Sequence, residues 1–165
     1  MALRRIITEN DEALRKKSRE VTAFDGRLHQ LLDDMAETMD DINGVGLAAV
    51  QVGILRRVAV VDIGEGRIEL INPVITENSE ETVTSFEGCL SYPNKRGLVE
   101  RPKKVTVKAC DRHGKEFSVT GEDLLARALC HELGHMDGVI LKDVAIRMIR
   151  EDELPDDFDD FVQDK

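Results

Sequence analysis

The chain has no tryptophan, one tyrosine and five phenylalanines in 165 residues, so aliphatic side chains must fill its interior. Cysteine is also scarce. Three thiols, an odd number in a chain of this size, do not make a disulfide scaffold. No apolar run approaches the ~20 residues that span a bilayer. Residues 1–10 carry Arg4 and Arg5 without an apolar stretch long enough to read as a secretion signal. Bases are outnumbered: 23 Lys and Arg against 33 Asp and Glu leave a formal charge of −10. That sign argues against broad, sequence-independent binding to DNA or RNA. What is present, 41% hydrophobic and 34% charged residues, is enough for one core at this length. The composition reads as a soluble single domain of the cytoplasm.

Residues 11–17 read as a short helix with acids first and bases last, the order that suits the helix dipole. Leu28, Leu31, Leu32, Met35, Met39 and Ile42 recur at spacings of three and four, which predicts an amphipathic helix over 25–42, closed by Asn43-Gly44. Short β-type runs follow. Residues 57–63 and 67–71 flank Gly64-Glu65-Gly66 as a hairpin, residues 82–84 are a weaker strand, and residues 104–109 alternate before a turn at 111–114 and a returning strand. Residues 122–136 return to helix, with Thr120 and Asp123 at capping-box spacing. The expected class is α+β, a largely antiparallel sheet packed around this late helix, with the amphipathic helix near the N-terminus. Residues 1–150 form the expected domain. Residues 151–165, with eight acids against Lys165, read as an acidic tail that is frayed or solvated.

The sharpest signal is His131-Glu132-Leu133-Gly134-His135. Histidines at i and i+4 lie on one helix face, so both imidazoles reach one ion. Glu132 sits one step round, placed to take a proton from a water that the ion acidifies. Two of the chain's four histidines fall in this spacing, which favours a metal site over two surface histidines. A third protein ligand is needed. The extended zincin motif places a histidine where this chain has Leu141, and leucine cannot coordinate a metal. The downstream glutamates Glu151 and Glu153 lie in the acidic tail, so the ligand is sought upstream among Cys89, Cys110, His29 and His113. Cys89 lies between Gly88 and Pro93 on what must be irregular backbone, from which a thiolate can be aimed at a helix face. Cys110 and Cys130 read as small packing groups. The segment from Gly44 to Gly53 is apolar and glycine-punctuated, with Gln51 its one polar side chain, and it lacks the ending of a phosphate-binding loop. A glutamine amide beside a metal can donate to a developing oxyanion.

The three segments Gly44 to Gln51, Glu87 to Ser91 and His131 to His135, in this order, resemble the peptide deformylase family. That family is marked by G-x-G-L-A-A-x-Q, E-G-C-L-S and H-E-x-x-H. The resemblance runs from about Leu14 to Asp143. It implies that Cys89, His131 and His135 hold one divalent metal ion, with Fe(II) native and zinc or nickel accepted. It implies that Glu132 is the general base and later the acid. Gln51 and the Leu90 N–H would stabilise the oxyanion, Gly46 would let the substrate backbone approach, and Val45 and Leu124 would line a methionine pocket. The implied reaction removes the formyl group from formylmethionine at the start of nascent peptides and releases formate. Transient ribosome association is a further implied partner; DNA and membrane are not.

Two departures stand out: Gly134 where the family usually has Asp, and Val50 where it usually has Pro. Gly134 is expected to lower stability or metal retention and to leave Arg101 or Arg96 without its usual carboxylate. Two other readings compete, a different small metallopeptidase and a catalytically impaired deformylase-like peptide-binding protein.

Overall fold

Asp25 opens the first long helix. Its carboxylate accepts from the Leu28 N–H at 3.1 Å, as an N-cap residue does, and helix α1 runs Gly26–Asp41. In this computed structural model, which describes residues 2–154, the chain then forms strands β1 (Gly46–Ala48), β2 (Val58–Val61), β3 (Ile68–Asn78), β4 (Thr82–Glu87), β5 (Lys95–Pro102), β6 (Lys104–Cys110) and β7 (Glu116–Glu122). Helix α2 (Leu124–Met136), a single turn α3 (Leu141–Val144) and strand β8 (Arg147–Arg150) complete it. Every strand pair within the sheets is antiparallel. One sheet has the order β1-β2-β3-β6-β7 and the other β4-β5-β8.

Strand β2 shows why the domain is layered. Its four residues are all buried, and their side chains alternate between two helices. Val58 and Val60 join the cluster of Leu28, Leu32 and Met35 from α1, whereas Ala59 and Val61 join Leu129 and Leu133 from α2. The first sheet is therefore packed between the helices. That placement sets α2, with its histidines, against the back of β1 and the ends of the second sheet.

The expected hairpins are present, β2 with β3 and β6 with β7. Three strands are additional. β1 lies inside what reads as an apolar loop, and β5 and β8 are rich in charge, so neither carries a clean alternating pattern. Residues 12–15 form a 3-10 turn instead of an α-helix. The capping box at Thr120 and Asp123 is absent: Thr120 lies in β7 opposite Thr106 of β6, and Asp123, at φ 52°, makes no side-chain cap. Of the acidic tail, Glu151–Glu153 make a 3-10 turn, with the Glu151 carboxylate 3.1 Å from Arg96; residues 155–165 lie outside the described residues.

Helix α2 ends in a Schellman arrangement: the Gly138 N–H donates to His135 O at 3.1 Å and the Val139 N–H to Gly134 O at 3.0 Å. Gly138 has φ 76°, and a Cβ there would sit 2.5 Å from Arg15 O. Gly138→Ala is expected to destabilise the domain by about 2–3 kcal/mol, read as a lower urea midpoint with an unchanged m-value.

Candidate metal centre

The site is assembled from three elements. Helix α2 carries Arg127, His131 and His135 at successive spacings of four, so they form one stripe. The segment after β4 brings in Cys89. The 3-10 turn Ala49–Val52, after β1, brings in Gln51. Cys89 Sγ lies 3.4 Å from His135 Nε2, which lies 3.2 Å from His131 Nε2. Among the described residues, Cys89, His131 and His135 are the group whose ligand atoms all fall within 4.8 Å of one another, and all three are buried. Bond lengths of ~2.0–2.3 Å in a tetrahedral site place such ligands about 3.3–3.6 Å apart. Two imidazoles and one thiolate at these separations fit a single divalent ion with one position open.

The outer partners set the orientation. His131 Nδ1 donates to Glu87 Oε1 at 2.9 Å, which turns its Nε2 toward the thiolate. Glu87 is fully buried, and it also accepts from Arg101 Nε and Nη2 at 2.8 and 2.9 Å and from Arg127 Nη1 at 2.7 Å. Burial alone would raise the Glu87 pKa; hydrogen bonds from Arg101 and His131 outweigh it and hold the carboxyl well below the usual range. Burial likewise pushes both imidazoles down. At His131 the Cys89 thiolate and Glu87 reverse this and raise it, while at His135 the neighbouring His131 adds to the depression.

Glu132 is wholly buried and lies against β1. A Cβ at Gly46 would collide with its Oε2 and sit 3.0 Å from its Cδ, so only glycine there leaves room for the carboxylate. The Gln51 Oε1 accepts from the Ala48 N–H at 2.9 Å, which aims Nε2 at Ser91 Oγ, 3.2 Å away, and at Cys89 Sγ, 3.7 Å away. Leu90 is the residue after Cys89, half-buried in the turn. Val45 is buried in the cluster that holds Cys89 and Leu133, whereas Leu124, the first residue of α2, is 38% exposed.

The other thiols and histidines lie elsewhere. Cys130 is buried, with burial raising its pKa, and Cys110 is half-buried beside the α1 cluster. The His29 Nε2 donates to Arg112 O at 2.8 Å, and its ring meets that of His113 edge-on. The expected vacancy beside Gly134 is not found: Arg101 pairs with Glu87, and Arg96 with Glu151. A Cβ at Gly134 would meet Val139 at 3.8 Å, an ordinary contact. Gly134→Ala is therefore expected to stabilise the domain by about 1 kcal/mol, seen as a higher urea midpoint. Arg127 is a site residue that motif reading passed over, and Glu87, although it opens the motif Glu87 to Ser91, received no role there. Arg127 was legible in one respect, since it stands four residues before His131.

A family model described as polypeptide deformylase matches residues 3–151. The chain is 58% identical to a peptide deformylase of Caldicellulosiruptor bescii, over 93% of this chain and 92% of that protein. It is 53% identical to one from Acetivibrio thermocellus, over 93% and 90%. The crystal structure of peptide deformylase from Thermotoga maritima superposes with a TM-score of 0.86 at 40% identity, covering 88% of this chain and 99% of that one.

Proposed function

The chain belongs to the peptide deformylase family, and from that premise we propose that Cys89, His131 and His135 hold its metal while Glu132 moves the proton. The activity is that of the family: metal-dependent hydrolysis that removes the formyl group from the formylmethionine of nascent peptides and releases formate. The observation that carries the residue assignment is the meeting of one thiolate and two imidazoles within 4.8 Å, beside a buried glutamate on the next position of the same helix.

Cys89, His131 and His135 would hold a divalent ion, Fe(II) in this reading, which would supply Lewis acidity toward the formyl carbonyl and a water. Glu132 accepts the proton of the attacking water and passes it to the departing amine, which must leave protonated. The Gln51 Nε2 and the Leu90 N–H donate to the oxygen on which negative charge develops. Gly46 leaves the edge of β1 open to an extended peptide, and Val45 and Leu124 border the space for the methionine side chain. Residues 1–150 act as one catalytic domain in the cytoplasm. Ribosome contact, where it occurs, is transient and avoids the acidic tail.

Protein loaded with Fe(II) under argon is expected to release formate from formyl-Met peptides and to leave acetyl-Met peptides intact. Equal cleavage of internal peptide bonds would point to a general peptidase instead. Binding without formate release would point to a silent relative.

A further inference from the structure

Away from the metal centre, the start of α1 faces a cavity of about 330 Å³. Its floor is apolar, made by Val21, Leu28, Leu31 and Ile54, and its rim carries Arg27 and Arg56. Arg27 sits in the first turn of α1, two residues after the Asp25 carboxylate that caps the helix. One electrostatic arrangement here runs against ordinary preference. Arg56 bridges Arg19 on the adjacent segment, which sets like charges side by side. Among the described residues, none of Arg19, Arg27 and Arg56 has an ion pair, in a chain with ten more acids than bases.

The other two charges on the rim are committed elsewhere. Arg4 pairs with Asp34 at 2.9 Å, and the Asp25 carboxylate caps α1. Arginines left without acids beside an apolar cavity mark a place where a ligand completes the arrangement. An anion between Arg27 and Arg56 would offset the repulsion of Arg56 and Arg19, and the floor below would take an aliphatic chain. A volume near 300 Å³ is the lower end of small-molecule sites.

We propose that this cavity binds a small monocarboxylate with an aliphatic chain, its carboxylate held between Arg27 and Arg56 and its chain on Leu28, Leu31 and Ile54. RNA phosphates would use the arginines but not the floor, so they are not the occupant. The site is independent of the metal centre.

Calorimetric titration of the metal-loaded protein with octanoate tests this, with acetate supplying the head alone and octanol the chain alone. Saturable octanoate binding is expected, at least about tenfold tighter than either fragment. The double variant Arg27→Ala/Arg56→Ala should lose about tenfold or more in octanoate affinity, the scale of a charge-assisted pair. Its ligand-free melting temperature should not fall, because the substitution removes repelling charges and no ion pair. Three results would overturn the proposal: acetate or octanol binding as tightly as octanoate, unchanged octanoate affinity in the double variant, or a lower ligand-free melting temperature. Unchanged affinity would place octanoate elsewhere, the metal centre included, and a lower melting temperature would make the arginines structural.

Discussion

Glu132→Gln is expected to lower kcat for formate release by about 10³-fold, within the range that a positioned general base contributes, while metal content stays at the wild-type level. Glutamine keeps the shape of the side chain, so the fit against Gly46 survives and only proton transfer is lost. Metal analysis and a formate assay on the same preparation separate the two effects. A variant that keeps activity within tenfold would remove Glu132 from the proton path. A variant that loses its metal would assign the residue to ligand positioning. Glu132, the proposed base, lies on α2 at a fixed angle from His131, with no loop between it and the two proposed histidine ligands.

Glu87→Ala should have the largest effect on stability. The carboxylate has no solvent exposure, and it faces Arg101 and Arg127, whose side chains are 13% and 5% exposed. Removing it leaves two guanidiniums with little access to water and no counter-charge between them. Breaking a buried pair in this way costs about 3–5 kcal/mol, read as a shift in the urea midpoint of the metal-free protein. The same change takes the acceptor from His131 Nδ1, so metal affinity should fall about 10–100-fold. Glu87→Gln sorts the two consequences. It keeps an acceptor for His131 but not the charge, so it should recover metal affinity more fully than stability. Equal recovery of both would mean that the charge of Glu87 matters little.

Most of the site was readable in the residues because the chemistry sits on one helical repeat. His131 and His135 share a face by helix geometry alone, and Glu132 is fixed beside them. The choice of Cys89 over Cys110, His29 and His113 was not readable from spacing. It depends on where the end of β4 meets α2, a contact between residues 46 apart in the chain. β1, β5 and β8 were missed for a related reason. Lys95–Pro102 is held by pairing on both sides, which supports charged residues that show no alternation of their own. β1 and β8 are instead edge strands of three and four residues, too short to show a period.

The consequence of Gly134 shows the same division. Sequence comparison predicts an arginine without its carboxylate; folding instead gives Arg101 to Glu87 and Arg96 to the first turn of the tail. By itself, then, the sequence determined the scarcity of aromatics, the absence of a disulfide framework, both long helices and the paired histidines. Each of these is a matter of composition or of periods within one element. The family resemblance already implied that Cys89 meets the histidines; only the tertiary structure decided which carboxylate holds them in place and where, among the described residues, the unpaired arginines gather. Those depend on side chains from distant segments sharing one buried space, and no local period encodes that.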